Sequence, residues 1–381
     1  MERFDVAIVG AGPAGCSSAI FLARKGYSVA LLDKQLFPRE KLCGDFLNPI
    51  NWEIFERLGI REELLSLEHE KVRSFRITTS SVDATVPLPP QNGRYPFGLG
   101  LRRFLFDDLL FKLAEKEQVR VRQGVRVKNL RRETGGWRAT LGDHSSEDRL
   151  YSRLLIGADG RNSWVAHRLG LAAPAEGSGR FVAFQLHLRG CRGINRDVQI
   201  HLFPGGYAGL VGLGGGMANL CFTMEKKLAR ESTTVETVFK GNLYGNPHLK
   251  AALEASELVG EVRSVYPVYF SPRRCYGDGF LLVGDAARVT EPVTGEGVYF
   301  ALKSGELAAE AAHSAFKDGD LSTRQLSRYD IACRSSLARR QRINDLIRAL
   351  VNRPRLLTPL VRFSSKSKFP ISSLVRRVCQ A

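Results

Sequence analysis

The sequence has no run of about 18 apolar residues, the length that a membrane-spanning helix requires. It also lacks a recognisable signal peptide, because the apolar stretch at residues 6–9 is short and leads directly into glycines. The seven cysteines include no CxxC pair, which argues against a disulfide framework or a zinc site and fits a reducing compartment. We therefore expect a cytoplasmic protein, with two domains because 381 residues exceed one compact core.

Acidic residues are scarce: 39 Asp and Glu stand against 56 Lys and Arg, which gives a net charge of +17. The excess is largest in residues 334–381, where Asp345 is the single acid. Two interpretations stay open, a solvated basic face and a peripheral contact with an anionic membrane, to which the largely apolar residues 356–361 would contribute. Nucleic-acid binding is not expected, because no recognition motif accompanies the charge.

A glycine-rich turn follows the first apolar stretch. Residues 4–9 predict a buried parallel strand, the turn leads into a helix, and a second strand at residues 28–32 ends at an acid. Such a turn lets a pyrophosphate approach the backbone at the helix N-terminus, and the acid can accept hydrogen bonds from an adenosine ribose. The sequence therefore predicts a dinucleotide site consisting of Gly10, Gly12, Pro13, Ala14, Gly15 and Asp33, with the neighbouring Lys34.

Two further apolar strands are predicted at residues 154–158 and 280–283, and each leads into an aspartate beside a glycine. The aspartate can bind the hydroxyls of a polyol chain, and a glycine-rich helix start can place N–H groups against an electron-poor ring. The alternative is that each aspartate only caps a turn or a helix. The candidate cofactor-binding residues of these motifs are Asp159, Gly160, Gly284, Asp285, Pro292, Gly295, Glu296 and Gly297.

With these motifs, the chain resembles the para-hydroxybenzoate hydroxylase superfamily of flavoproteins, and within it the geranylgeranyl reductase branch and its monooxygenase neighbours. The family's GADGxxSxV pattern matches residues 157–165, its GDAAxxxxPxxGxG pattern matches residues 284–297, and its RxxFD pattern begins at Arg103. The resemblance implies FAD as the cofactor, with NADPH or NADH as the electron donor. It places Arg103 near the pyrophosphate, the aspartate of the second pattern at the ribityl chain, and Gly295 and Gly297 at the flavin ring.

The same resemblance implies the fold class: α/β, with a glutathione-reductase-type (Rossmann-like) FAD-binding domain, an inserted antiparallel-sheet substrate domain and a C-terminal helical segment. Short alternating segments between residues 180 and 269 favour the inserted sheet, and residues 72–88 predict a hairpin that contributes to it. The predicted FAD-binding domain comprises residues 1–70, 98–178 and 270–333, the substrate domain residues 71–97 and 179–269, and the basic helical segment residues 334–381.

A loop at residues 37–45 resembles the PRxKxCG loop that these enzymes place beside the flavin. Arg39 and Lys41 can pair with phosphate oxygens, or they can be exposed cations of a loop. Cys43 is the candidate catalytic residue, and two interpretations of its thiol stay open. It contacts or tunes the flavin site, or it fills a tight space before Gly44, which is also a candidate cofactor residue.

The residues that would face a substrate are less well defined. His187 and His201, on predicted substrate-domain strands, are interpreted as ordinary surface or core histidines, because neither has a recognisable partner. Gly209 and Gly212 stand where reductases of the family carry bulky pocket residues, which argues against a standard geranylgeranyl reductase. The halogenase pattern WxWxIP is absent from the sequence, which disfavours that class as well.

The expected function is an FAD-dependent monooxygenase that hydroxylates or epoxidises an apolar, polyketide- or isoprenoid-like molecule with electrons from NADPH or NADH. The alternative is the reduction of C=C bonds in an isoprenoid or lipid, which the residues 294–297 and the Cys43 loop favour. A third hypothesis, a non-catalytic carrier of prenyl or lipid groups, is disfavoured by the intact flavin motifs. No Ser-His-Asp set stands out, which fits a protein whose cofactor carries the chemistry.

Overall fold

The computed structural model describes residues 1–90, 93–142, 147–171, 181–230, 234–266, 268, 273–289, 292–351 and 369–379. Within these ranges the chain forms 18 strands, which belong to three sheets. The strands are β1 (Glu2–Val9), β2 (Val29–Leu32), β3 (Phe46–Leu47), β4 (Glu70–Val72), β5 (Ser74–Thr78), β6 (Asp83–Pro87), β7 (Gly98–Gly100), β8 (Arg120–Arg122), β9 (Arg126–Glu133), β10 (Gly136–Gly142), β11 (Glu147–Gly157), β12 (Phe181–Arg189), β13 (Asp197–Phe203), β14 (Gly206–Gly214), β15 (Met217–Glu225), β16 (Glu257–Val265), β17 (Tyr276–Gly277) and β18 (Phe280–Leu282).

The same ranges contain α-helices of very different length, from one turn to 29 residues. None of the helices in the described part of the chain is long and apolar enough to cross a membrane. The helices are α1 (Pro13–Ala23), α2 (Trp52–Leu58), α3 (Arg61–Ser66), α4 (Arg103–Lys116), α5 (Trp164–Arg168), α6 (Lys226–Arg230), α7 (Val235–Gly241), α8 (Pro247–Leu253), α9 (Gly297–Lys317), α10 (Thr323–Val351) and α11 (Phe369–Cys379).

The first sheet has the parallel core that the N-terminal motif predicts. β1 pairs in parallel with β2 and β11, β2 with β8, and β11 with β18, which gives the order β17-β18-β11-β1-β2-β8. Residues 6–9 of β1 are buried without alternation, because the core cluster around them includes residues of α1, α4 and α9. The carboxyl ends of β1, β2, β11 and β18 therefore meet at one edge, where the predicted cofactor motifs lie.

The second sheet has two buried faces with different partners. Its order is β16-β12-β15-β14-β13-β5-β6, and β13–β5 is the parallel pair among antiparallel ones. The outer face packs against α7 and α8. The inner face packs against α10, α11 and loops of the first domain. The hairpin β5–β6 corresponds to the one predicted at residues 72–88. The fold is thus α/β, a Rossmann-like FAD-binding fold with an inserted sheet.

The C-terminal helices begin earlier than the charge pattern predicts. α10 is one helix across the boundary predicted between residues 333 and 334, so this boundary does not coincide with the end of a helix. The composition changes there because exposed positions of the helix become arginine, whereas its buried stripe continues through Leu326, Tyr329 and Leu337. α11 packs against β6 and α10. The apolar residues 356–361, predicted to contribute to a membrane contact, lie outside the described residues.

Candidate functional site

The turn between β1 and α1 packs so tightly against its neighbours that no side chain fits at two of its glycines, Gly10 and Gly15. Gly10 has φ +105°, and a Cβ placed on it would lie 2.4 Å from the carbonyl oxygen of Ala158. A Cβ on Gly15 would lie 1.8 Å from the oxygen of Gly10. Gly12, in contrast, faces open space: a Cβ there would meet Arg39 Nη2 at 3.6 Å and nothing nearer in the described structure. The turn thus presents bare backbone toward Arg39.

The N-terminus of α1 is available to an anion. Gly12 is the N-cap residue, Pro13 is the first helical residue, and no described side chain caps this end. The N–H groups of Ala14 and Gly15 therefore remain free for a ligand, and the helix dipole favours a negative charge there.

Asp33 fixes the turn from the end of β2. Its Oδ2 accepts a hydrogen bond from the N–H of Ala11 (2.8 Å), and its Oδ1 accepts one from the N–H of Gln35 (2.9 Å). Each carboxylate oxygen has a second lone pair, so the group can still accept from a ribose hydroxyl. Lys34, the next residue, is exposed.

Arg39 and Arg103 share a buried acid beside this turn. Arg103 donates two hydrogen bonds to Asp107, from Nε to Oδ1 (2.6 Å) and from Nη2 to Oδ2 (2.8 Å). Arg39 Nη1 lies 3.3 Å from Asp107 Oδ2. Burial by itself would lower the pKa of Arg103, but the Asp107 carboxylate outweighs it and raises that pKa. The Nε of Arg39 is buried without a hydrogen-bond partner in the described structure, which a phosphate oxygen next to Gly12 would provide.

Lys41 projects into the same cleft. Its side chain is exposed at the cleft. The protein atoms around the ammonium group reduce its hydration and so lower its pKa, whereas Asp285 raises that pKa. Arg103, Arg161 and Arg39 lower that pKa further. The structure therefore brings the predicted loop cations and the predicted ribityl-binding acid into one electrostatic environment.

The two aspartates at the strand ends differ in their contacts. Asp159 accepts hydrogen bonds from the hydroxyl of Ser163 (2.5 Å) and the N–H of Val165 (3.0 Å), so its carboxylate caps α5. Asp285 lies in a short 3-10 turn, half-buried, next to Lys41. The preceding Gly284 is packed on α1, since a Cβ on it would lie 2.9 Å from Ala14 Cβ. The capping interpretation therefore applies to Asp159, and Gly160 follows it with φ +82°.

The second glycine motif joins the Cys43 loop through Phe46. Pro292 starts a 3-10 turn that ends at Thr294. A Cβ on Gly295 would lie 2.5 Å from Phe46 Cδ1, whereas a Cβ on Gly297, at the start of α9, would meet no atom within 4 Å in the described structure. We call residues 294–297 the flavin turn. Its backbone borders open space at Gly297, which fits a planar ring.

The sequence predicts Glu296 as a cofactor residue, and its side chain turns away from the open space, so a contact with the cofactor would come from its backbone. The carboxylate is 1% exposed and points to α10, where Arg340 Nη1 donates to Oε1 (2.8 Å) and Asn344 Nδ2 donates to Oε2 (3.0 Å). Burial raises the pKa of Glu296 to about 7, and Arg340 opposes this increase. Gly295, on one side of it, is packed against Phe46, whereas Gly297, on the other side, borders open space.

A polar network of the second sheet holds the Cys43 loop. The N–H of Cys43 donates to Gln185 Oε1 (3.3 Å), and its carbonyl oxygen accepts from Asn219 Nδ2 (3.0 Å). Asp45, 1% exposed and with φ +51°, accepts at Oδ2 from Gln185 Nε2 (3.1 Å) and His187 Nε2 (2.9 Å). Burial raises the pKa of the Asp45 carboxyl and of the Cys43 thiol, although Arg103 lowers that of the thiol.

The two histidines and the two glycines of the second sheet separate into different roles. His187 is a buried core histidine, and its Nε2 lies 2.9 Å from Asp45 Oδ2, so it belongs to the Asp45 network. His201 is a core histidine as interpreted, hydrogen-bonded to Thr78 (2.7 Å) and Gln199 (2.9 Å). Gly209 pairs with Cys221 and lies on the inner face with Asn219, whereas Gly212 lies on the opposite face, toward Glu70. Only Gly209 therefore borders the candidate substrate side.

Sequence reasoning did not identify several residues of the site. Asp45, Gln185, Asn219, Arg340 and Asn344 hold the two loops beside the flavin turn, yet no short motif contains them. The one available signal was the position of Asp45 directly after Cys43 and Gly44.

These observations fit FAD. The bare turn at Gly12 and the unpartnered Nε of Arg39 suit a pyrophosphate, Asp33 suits a ribose, and the open space at Gly297 suits a ring. The fold and the site together define a dinucleotide-binding flavoprotein with a second, separate sheet.

Comparison with known proteins identifies the family. A model of the FAD-binding domain matches residues 3–201, just over half of the chain. The chain is 30% identical to digeranylgeranylglycerophospholipid reductase 1 of Methanopyrus kandleri, over 86% of its own length and 85% of that protein's. The chain belongs to the FAD-dependent oxidoreductases of the para-hydroxybenzoate hydroxylase type, a superfamily that includes geranylgeranyl reductases.

Other similar proteins have different names. The chain is 27% identical to Conditioned medium factor receptor 1 of Dictyostelium discoideum over 86% of its residues, but it spans 66% of the length of that protein. The solved structure of the flavin-dependent brominase Bmp2 superposes with a TM-score of 0.81 at 21% identity, covering 99% of this chain and 94% of the other. This likeness shows a shared fold.

Proposed function

We propose that this FAD-dependent oxidoreductase reduces carbon–carbon double bonds in an apolar isoprenoid or lipid chain. The observation that carries the proposal is the apolar half of the inner face of the second sheet, which adjoins the flavin turn. The reductase of Methanopyrus kandleri, named for a digeranylgeranyl glycerophospholipid, supports this reaction class over oxygenation.

Apolar side chains dominate the part of the inner face that β5, β13 and β14 form. Ile200 and Val211 are buried there in one cluster with Phe46 and Val293, which lie at the flavin turn. A Cβ on Gly209 would be in van der Waals contact with the oxygen of Cys221 (3.6 Å) and with Ile200 Cδ1 (3.8 Å), so the missing side chain leaves space for no more than a methyl group. Because a buried polar group without a hydrogen bond costs about 1–3 kcal/mol in proteins, such a wall favours a hydrocarbon chain.

Cys43 is the residue that we assign as proton donor. Bound FAD supplies hydride-transfer chemistry in reactions of this class. The carbon at the other end of the double bond then needs a proton. Burial raises the pKa of the Cys43 thiol, so the thiol is protonated at neutral pH. When it gives up its proton, the thiolate that remains is stabilised by the neighbouring Arg103 guanidinium.

Monooxygenation of an apolar molecule, the function that the sequence favours, is the second candidate. The specific observation in its favour is Gly209, which lies on the inner face at a position where family reductases carry a bulky residue. The electron donor, NADPH or NADH, stays a prediction for both candidates. So does the peripheral contact with an anionic membrane.

Anaerobic turnover separates the two candidates. The FAD-loaded protein is reduced with dithionite and mixed with digeranylgeranyl glycerophospholipid in detergent micelles, and the lipid is analysed by mass spectrometry. The proposal expects the gain of two hydrogen atoms per double bond in the absence of oxygen. A lipid that gains an oxygen atom, and only in air with NADPH or NADH, would replace it with the monooxygenase. An unchanged lipid under both conditions overturns the proposed substrate class.

A substitution at Cys43 tests its role as the proton donor. Cys43→Ser keeps the size of the side chain but replaces the thiol with a far weaker acid. We expect turnover to fall by about a hundredfold while FAD affinity is unchanged, since general acid catalysis contributes about that factor. Unchanged turnover would leave Cys43 as a packing residue.

A further inference from the structure

We propose that Arg340 and Asn344 of α10 are positioning residues for the flavin: they hold Glu296, and through it the backbone of the flavin turn. This inference rests on FAD binding, which the family establishes, and is independent of the reaction proposed above. It gives two residues of the basic C-terminal helices a role in the cofactor site.

Both non-glycine residues of the flavin turn are held from outside the cofactor side. Glu296 is held by Arg340 and Asn344. Thr294 donates its hydroxyl to Asn344 Oδ1 (2.6 Å), and its carbonyl oxygen accepts from Asn48 Nδ2 (3.1 Å). Gly295, between them, has no side chain through which it could be held. The position of its peptide groups therefore depends on the two flanking residues, whose side chains are both bound by α10, and on Asn48, which holds the Thr294 carbonyl.

Arg340 also joins this turn to α11. Its Nη1 lies 3.5 Å from the carbonyl oxygen of Arg377 and 3.3 Å from that of Val378, in the last turn of α11. Carbonyl groups at a helix C-terminus attract a cation. The guanidinium lies 5.4 Å from the ring centroid of Tyr299 on α9. The Arg340 side chain, 9% exposed, thus links its own helix α10 to the flavin turn, to α11 and to α9.

The electrostatic surroundings of Glu296 make the link testable by pH. Arg340 faces it from α10, Cys379 from α11 and Tyr299 from α9. Arg340 is the single formal charge among these groups, and burial raises the pKa of Glu296 to about 7. Protonation of Glu296 removes the charge from its hydrogen bond with Arg340, which weakens that bond. FAD affinity should therefore fall as the pH decreases through about 7.

The experiment measures FAD binding to the full-length apoprotein by quenching of flavin fluorescence, at about pH 6 and about pH 8. Arg340→Gln is compared with Arg339→Gln, a matched control because Arg339 is the exposed neighbour on the same helix. We expect Arg340→Gln to weaken FAD binding by at least about tenfold at the higher pH, because it removes a charge-assisted hydrogen bond. Arg339→Gln should bind FAD like the wild type.

Two further variants distinguish a loss of flavin positioning from a loss of folding. Arg340→Lys keeps the charge and should recover part of the affinity. Glu296→Gln keeps the shape of the side chain and should remove the change in FAD affinity between the two pH values. Equal FAD affinity in the Arg340→Gln and Arg339→Gln proteins would overturn the proposal. So would a pH dependence that persists in Glu296→Gln. Failure of the lipid assay alone would affect only the proposed function.

Discussion

Two buried carboxylates, Asp45 and Glu296, lie on the two loops that meet at Phe46. Their hydrogen-bond partners differ in kind and in origin. Asp45 is bound by the amide of Gln185 and the imidazole of His187, both from the second sheet. Glu296 is bound by the guanidinium of Arg340 and an amide, both from α10. The Cys43 loop is therefore anchored to the second sheet, and the Glu296 side chain of the flavin turn is anchored to α10.

The difference concerns how charge is compensated. Burial raises the pKa of both carboxyl groups. Glu296 has a permanently charged partner, so removing that partner leaves a buried charge or forces protonation. Asp45 is bound instead by the His187 imidazole and by two neutral donors, the amide of Gln185 and the N–H of Arg103 at 3.1 Å. We therefore expect the Glu296 pair to be less tolerant of substitution than the Asp45 network.

The largest effect should come from separating the Glu296 pair. Arg340→Met at about pH 8 should lower the free energy of unfolding by about 3–5 kcal/mol, because a buried carboxylate loses its counter-ion. The double variant Arg340→Met/Glu296→Leu should recover much of this loss, since no unpaired charge remains. Urea denaturation followed by circular dichroism measures both. A single variant as stable as the wild type would show that the ion pair contributes no net free energy.

A second effect isolates the titration of Glu296. Its pKa is raised from 4.5 to about 7, so its contribution to stability is present below the unfolded pKa and is lost as the pH rises to about 7. Between about pH 5 and about pH 8, this should cost the wild type about 2–3 kcal/mol that Glu296→Gln does not lose. Urea denaturation at the two pH values measures the difference. Parallel losses in the two proteins would assign the pH dependence to another group.

The smallest effect should come from Asp45→Asn. Asparagine tolerates the positive φ of this position and can keep one hydrogen bond to the network, so we expect a loss of about 1 kcal/mol. Asp45→Ala, which leaves His187 and Gln185 without their acceptor, should cost about 2–3 kcal/mol more. Thermal unfolding of both variants tests the contrast. If the asparagine variant were as unstable as the alanine variant, the charge of Asp45 would be essential after all.

Local geometry explains what the sequence made predictable. Gly10, Gly15 and Asp33 are set by the close approach of one turn to its neighbours, and such contacts need particular residue types at fixed spacing. The parallel sheet and the inserted antiparallel sheet follow from the same kind of local pattern. Residues 294–297 were identified for this reason, although the orientation of the Glu296 side chain was not.

The anchors could not be predicted because they join distant parts of the chain. Arg340 is 44 residues from Glu296, and His187 is 142 residues from Asp45. Any one of the many arginines could have been the partner of Glu296 on sequence grounds. Only the crossing of α10 behind the flavin turn selects Arg340, and that crossing depends on the packing of the whole domain.

The bridge made by Arg340 has a consequence for biosynthesis. Proteins leave the ribosome from the N-terminus at about 5–20 residues per second, and early segments begin to fold before later ones exist. The phosphate turn at Gly10 can form soon after β11 emerges, since β1 pairs with β11. The flavin turn has to wait for α10 and for the end of α11. We therefore expect a nascent chain to form the binding site for the adenosine half of FAD well before it forms the site for the flavin ring.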